Sequence, residues 1–262
     1  MLSSLNDSIF DIVMSFRLGE GIQEDLCLYS QSDKVSPTLV RRSSLPKKIP
    51  NSKRIVIVSD THERHQCLGD LPSGDIFVHA GDLLMVNSRV SHRAGIQKLT
   101  EFNDWLGSVN CTTRVVISGN HDKVIETLGP EGTQAVLSHA AYLENTYITV
   151  DDITIWGTPV SAGRSQNKAF QSRDFFTQTR QAAYAMSGVD ILVTHGPHFE
   201  FADILHPSMH IWGHSHSYHG IREAGQYLWQ QPLSCLSVNA SIMDRKYNPS
   251  QFPVVIDYVS TP

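Results

Sequence analysis

Five short apolar runs, each closed by a small polar cluster, constrain this chain more than any other feature. Ile55-Val56-Ile57-Val58 leads into Asp60-Thr61-His62, and Ile76-Phe77-Val78 into Gly81-Asp82. Val115-Val116-Ile117 leads into Gly119-Asn120-His121-Asp122, Ile191-Leu192-Val193 into Thr194-His195-Gly196, and Ile211-Trp212 into Gly213-His214-Ser215-His216. Unbroken apolar runs of this length read as strands buried on both faces. Between the second and third run, Ile96, Leu99, Phe102 and Leu106 recur at helical spacing, and residues 135–142 and 175–186 read as helical too. Further strands are expected at 147–150, 153–156, 236–238 and 254–258. The sum is an α/β fold. In open α/β sheets ligands bind beyond the carboxyl ends of the strands, so the five clusters should converge on one site.

The contents of that site are chemically selective. Asp60, Asp82 and Asn120 join His62, His121, His195, His214 and His216, a set of oxygen and nitrogen donors without a thiolate. Such a set suits a pair of divalent first-row ions rather than a structural zinc. Each cluster alone is an ordinary turn or helix cap. Five in succession, each directly after a strand, point to metal. The other eight of the 13 histidines read as packing or surface residues. His65 and His198, three residues after proposed ligands, are candidates to line the pocket.

In this order the motifs resemble those of the calcineurin-like metallophosphoesterase superfamily over about residues 54–258. Within it the chain looks similar to small stand-alone metallophosphoesterase-domain proteins, a branch like the class III cyclic nucleotide phosphodiesterases. The supporting text is Ser73-Gly74-Asp75-Ile76-Phe77-Val78-His79-Ala80-Gly81-Asp82, Asp190-Ile191-Leu192-Val193-Thr194-His195-Gly196-Pro197 and Val238-Asn239-Ala240-Ser241. The resemblance implies a four-layer α-β-β-α sandwich around two divalent ions, with manganese, iron, zinc and nickel all compatible with the donors. It assigns Asp60, His62 and His216 to one ion, Asn120, His195 and His214 to the other, and Asp82 to both. Asn120 and His121 would face the substrate, His121 catalytic as an imidazolium that donates a proton to the leaving group or neutralises its charge, with Asp122 behind it as an orienting carboxylate. The expected reaction is hydrolysis of a small phosphodiester, cyclic nucleotides included, by a water that both ions activate. The alternatives are a phosphomonoesterase, a protein phosphatase, or a slow regulatory metal-binding protein. Two segments depart from the branch pattern, residues 157–163 and 201–206, and the substrate rim is expected to differ there. Arg164 and Lys168 are candidate phosphate contacts by charge and position.

Residues 1–50, rich in serine and proline, read as a partly flexible N-terminal extension with a short apolar patch at 9–16. Residues 51–262 read as one catalytic domain. The six basic residues from Arg41 to Arg54 read as a solvated tail. A net charge of −5 disfavours long nucleic acids as partners. No run approaches the roughly 20 apolar residues needed to insert in a bilayer. Asp7 and Asp11 interrupt the apolar start where a secretory signal would be basic, and the four cysteines are scattered. A cytoplasmic address is expected.

Overall fold

The computed structural model describes residues 25–32, 34–85, 91–163 and 166–260. The apolar patch at 9–16 and Arg164 lie outside these residues. In chain order the strands are β1 (Leu26–Gln31), β2 (Lys34–Arg41), β3 (Lys53–Val58), β4 (Gly74–Ala80), β5 (Cys111–Ile117), β6 (Ala141–Tyr142), β7 (Thr146–Val150) and β8 (Ile153–Thr158). Then come β9 (Ile191–Thr194), β10 (Met209–Trp212), β11 (Gly220–Arg222), β12 (Tyr227–Leu228), β13 (Gln231–Pro232), β14 (Leu236–Asn239) and β15 (Val254–Tyr258). Four α-helices are described: α1 (His92–Ser108), α2 (Lys123–Val136), α3 (Arg173–Tyr184) and α4 (Phe199–Leu205).

One sheet has the order β2-β1-β15-β3-β4-β5-β6 and the other β11-β14-β10-β9-β8-β7. The neighbours β3, β4, β5 and β6 run parallel, as do β8, β9, β10 and β14. Alternation along each strand sorts the side chains into layers. Ile55, Ile57, Ile76 and Val78 meet Ile155, Ile191, Val193 and Ile211 between the sheets. Val56, Val58 and Phe77 point the other way, onto Leu99, Phe102 and Leu106 of α1 and Ile125 of α2. Trp156 and Leu192 pack against Ala183 of α3 and Phe201 and Leu205 of α4. The result is the expected four-layer α-β-β-α sandwich. Each fully buried aliphatic side chain contributes about 1.5–3 kcal/mol of transfer free energy.

Helix ends follow local chemistry. The Ser91 and Ser172 hydroxyls cap α1 and α3 by accepting from Ala94 N and Phe175 N. The helical reading of 135–142 is corrected: α2 ends at Val136 and the chain re-enters the first sheet as β6. Gln134 directs this. Its Nε2 donates to the Leu137 and Ala140 carbonyls, and its Oε1 accepts from Tyr142 N, replacing the helical ladder. The helix that precedes, 123–136, was not legible because Gly129 (φ 70°) and Pro130 kink it midway.

A second correction concerns residues 25–50. Within the expected N-terminal extension, β1 and β2 form a hairpin on the edge of the first sheet, with β1 parallel to β15. Pro37 sits on the outer strand, where its missing N–H breaks no ladder between sheet neighbours. The basic stretch is not a solvated tail. Arg42 donates to the carbonyls of Leu26, Leu68 and Asp70, and Lys48 pairs with Asp75 at 2.8 Å. Arg54 grips the buried Asp257 with two bonds of 2.7 and 2.9 Å, and Tyr29 donates to the same carboxylate at 2.9 Å. This triad ties β1, β3 and β15 together. Asp257→Ala leaves Arg54 unpaired and half-buried, and is expected to destabilise the protein by about 3 kcal/mol. A urea midpoint equal to wild type would refute that role.

Candidate metal centre

All the proposed ligands lie just beyond strand ends. Asp60 and His62 follow β3, Asp82 follows β4, Asn120 and His121 follow β5, His195 follows β9, and His214 and His216 follow β10. Parallel neighbours deliver these loops to one edge of the sandwich. The backbone then bends unusually to turn the side chains inward. Asp60, His62, Asp82 and His214 all have positive φ, between 44° and 63°. Such strain in four non-glycine residues of one site persists only where the surroundings over-determine it.

Those surroundings are main-chain groups of neighbouring loops. Asp60 accepts from His214 N at 2.9 and 3.0 Å, which joins the first sheet to the second. Asp82 Oδ1 accepts from His121 N at 2.8 Å. His195 Nδ1 lies 2.9 Å from Ala80 O, His216 Nδ1 2.9 Å from Asp244 O, and His214 Nε2 2.8 Å from Ala162 O. A nitrogen against a carbonyl carries the proton, so the other nitrogen of each ring presents a lone pair to the centre.

The inward atoms meet like with like. Asn120 Oδ1 lies 3.1 Å from His195 Nε2 and 2.8 Å from His214 Nδ1. His62 Nε2 is 3.4 Å from His216 Nε2. Asp82 Oδ2 stands between two groups, 3.2 Å from His195 Nε2 and 3.8 Å from His62 Nε2, while Asp60 Oδ1 is 3.3 Å from His216 Nε2. Asp60 and Asp82 are buried, and neither pairs with a lysine or arginine among the described residues. Acceptors facing acceptors around two buried carboxylates require positive charge. Within the protein His195 supplies it: burial disfavours its charged form, but Asp82 and Asp60 outweigh burial and push it up to about 9. A divalent cation satisfies the same lone pairs more completely. The overlapping groups Asp60, His62, His216; His62, Asp82, His121; and Asp82, His195, His214 each bring donor atoms within 4.8 Å of one another. The donor set therefore fits divalent metal.

Glycine makes the approach possible. A Cβ at Gly213 would sit 2.0 Å from Ser59 Oγ and 2.3 Å from Asp60 Oδ2, and one at Gly119 would sit 2.4 Å from Asp82 Oδ1.

Several expectations need correction. Asp122 does not stand behind the His121 ring; its carboxylate accepts from Leu83 N, Leu84 N and Gly119 N at 2.8–3.2 Å. It clamps the loop after β4 to the loop after β5. The His121 ring is instead met by Asn167 Nδ2, 3.1 Å from Nδ1, and by the Tyr247 hydroxyl, 3.4 Å from Nε2. His65 is buried against Phe102 and Trp105, and His198 pairs with Glu200, so neither lines the cavity over the donors. Residues 201–206 belong to α4 and its C-cap and pack in the outer core, away from the rim. Lys168 is exposed and makes no described contact with the site.

Reasoning from sequence missed four positioning residues. The Asn167 carbonyl accepts from Asn120 Nδ2 at 3.1 Å, which turns Asn120 Oδ1 towards the imidazoles. Its side chain reaches His121, so one residue orients both. Tyr247 closes the other side of a cavity of about 260 Å3 over the donors. Two histidines taken for packing buttress the loops from within the sheets. His79 Nε2 is 3.0 Å from Thr61 Oγ1, and His210 Nε2 is 2.7 Å from Thr194 Oγ1, each threonine being next to a proposed ligand. A histidine on a buried strand two or three residues before such a cluster was the available signal.

A two-sheet sandwich with nitrogen and oxygen donors gathered at its strand ends defines a metal-dependent hydrolase class. Residues 53–218 match the family described as calcineurin-like phosphoesterase, and the chain belongs to that family. It is a hydrolase of phosphoesters. Human metallophosphoesterase domain-containing protein 1 is 28% identical over 257 residues, covering 80% of this chain and 72% of that protein. A UPF0046 protein of Caenorhabditis elegans is 25% identical over 250 residues, covering 79% and 81%. A solved structure at 15% identity superposes with a TM-score of 0.53 over 72% of this chain and 90% of its own, a likeness of fold.

Two outcomes follow from this geometry. Gly213→Ala is expected to keep the fold and lose metal, because the methyl displaces Asp60; stoichiometric metal by elemental analysis would contradict it. The second concerns pH. Burial holds His79 and His210 down to about 3, against about 6.5 in an unfolded chain. Above pH 6.5 neither state is protonated, and their stability contribution is complete. Below 6.5 only the unfolded state binds the protons, so stability falls progressively as pH drops towards 3. In chelated protein His210→Leu should flatten that fall by about one proton's worth of slope. An unchanged slope in denaturant titrations would show that His210 is not held neutral.

Proposed function

We propose that the chain is a phosphodiesterase that binds two divalent metal ions and hydrolyses a small phosphodiester. The observation that carries this reading is Asp82 Oδ2, set between the group of His62 and the group of His195 and His214. Asp60, His62 and His216 would hold one ion, Asn120, His195 and His214 the other, and Asp82 both. Metal bound there supplies a water of lowered pKa and neutralises charge on the phosphoryl oxygens.

The remaining work falls to the chain's own residues. Asn167 Nδ2 lies 3.1 Å from His121 Nδ1 and 3.4 Å from Nε2, so with the amide donating to Nδ1 the ring would carry its proton on Nε2, beside the Tyr247 hydroxyl on the cavity wall. Burial lowers the His121 pKa, so the ring acts there as a neutral N–H donor to an oxygen gaining charge. Its membership of one donor group is compatible with this position at the edge of the centre. A cavity of about 260 Å3, lined by Tyr247 and with Arg245 as the one lysine or arginine of its described lining, supports a small ester as substrate. No helix of the described residues is long and apolar enough to cross a membrane. Four free cysteines, Cys67 exposed among them, support a reducing, cytoplasmic setting.

Metal analysis of the purified protein, with turnover of cyclic nucleotides, linear diesters, monoesters and phosphoproteins after reconstitution with each ion, tests the reading. Turnover confined to monoesters or phosphoproteins would replace the diesterase assignment, and no turnover with both ions bound would favour a regulatory protein. Two variants separate the roles. His121→Ala should retain both ions and lose about 10²-fold or more in turnover, whereas Asp82→Asn should lose metal, because a neutral amide bridges two cations poorly. Full activity of the first, or full occupancy of the second, would sink the corresponding role.

A further inference from the structure

The cavity wall facing the imidazoles is made by a tight turn, residues 244–248, in the connection between β14 and β15. Asp244 Oδ1 accepts from Lys246 N at 2.7 Å and Asn248 N at 2.9 Å, and Asp244 N donates to Asn248 O at 2.8 Å. The Asp244 carbonyl accepts both Tyr247 N at 3.0 Å and His216 Nδ1 at 2.9 Å. The turn is thus locked to a proposed ligand. It holds Tyr247 at φ 60°, with its ring edge-on to His62 at 4.9 Å and His216 at 5.0 Å. A strained tyrosine fixed over two imidazoles makes this wall rigid.

Rigidity of the turn fixes Arg245. This residue lines the cavity, and its Nε donates to Ser217 Oγ at 2.5 Å. Among the described lining residues it alone carries a permanent positive charge. No aspartate or glutamate of the described residues forms an ion pair with it. With Nε anchored, the two Nη groups are the free end of a planar fork, which matches a carboxylate or phosphate. In an in-line displacement the leaving oxygen departs on the side opposite the attacking water. With water activated at the donors, the leaving group would depart towards the solvent side of the cavity, where the lining includes the exposed Arg245.

We propose that Arg245 is a specificity-determining contact for a second anionic group, phosphate or carboxylate, carried on the leaving part of the phosphoester. The proposal rests on the phosphodiesterase reading above. Charge on the transferred phosphoryl is met at the floor, and the guanidinium meets charge one leaving-group length away.

Three matched diesters test it with the metal-reconstituted enzyme: methyl phenyl phosphate, its 4-carboxyphenyl analogue and its 4-phosphonophenyl analogue. The readout is the kcat/KM of each anionic ester relative to the phenyl ester, compared between wild type and Arg245→Ala, so that intrinsic reactivity cancels. The ratio is expected to fall about 10-fold or more in the variant, chiefly through KM, and to be partly restored in Arg245→Lys. The carboxylate and phosphonate arms show which anion the fork prefers. Equal ratios in wild type and Arg245→Ala overturn the proposal while leaving the phosphodiesterase reading intact. Absence of wild-type turnover on all three overturns both. Arg245 is exposed, so thermal melting should match wild type; a lowered midpoint with unchanged ratios counts against the proposal.

Discussion

Main-chain groups hold the acceptors of this site against one another, and the rest of the architecture depends on that arrangement. Asp60 would not remain buried beside His216 without His214 N, nor Asp82 beside His195 without His121 N. Each of these amides belongs to a loop that follows a different strand. The loops come into register because their strands are parallel and hydrogen-bonded, directly within a sheet and through the apolar layer between sheets. Packing of Ile57, Val78, Val193 and Ile211 therefore bears on the chemistry by setting the height at which the two sets of loops meet.

A second tier of polar groups carries this order into the sheets. Thr61 and Thr194 sit beside proposed ligands and are held by His79 and His210, both fully buried. The Nδ1 atoms of these histidines have no hydrogen-bond partner, a cost of about 1–3 kcal/mol for each buried polar atom. Apolar residues would stabilise those strand positions better. Their presence is explained by what the imidazoles do at the loops rather than by the core they occupy.

Much of the site was legible because its residues stand in the text immediately after apolar runs, and a strand's direction carries such a cluster to a known edge. Asp60, His62, Asp82, Asn120, His195, His214 and His216 converge for that reason. Asn167 and Tyr247 carry no periodic signal. Each reaches the centre from a long irregular connection whose course depends on contacts far away in sequence, such as Tyr247 with His121. Asp122 was placed behind His121 by the resemblance, yet consecutive residues in a tight turn point to different neighbours, and its carboxylate turns to the amides of Leu83, Leu84 and Gly119 instead. The hairpin β1–β2 was hidden by composition: an edge strand tolerates Ser36, Pro37 and Thr38, and its anchors look like solvent-facing charge until the carbonyls of Leu26, Leu68 and Asp70 are placed around Arg42 and Asp257 opposite Arg54.

The segment 157–168 shows how such a site can vary at its rim without losing its donors. It touches the centre chiefly through main-chain carbonyls: Val160 O accepts Gly196 N, Ala162 O meets His214 Nε2, and Asn167 O accepts Asn120 Nδ2. A carbonyl is present whatever the side chain, so substitutions here leave the imidazole and amide orientations in place. Gly163 is a constrained position, since its φ is 156° and a Cβ would lie 3.1 Å from His214 Nε2. The Asn167 side chain is another, because it alone among the described residues of the segment reaches His121. Divergence from relatives within 157–163 is therefore expected to leave in place the donor orientations that these carbonyls set.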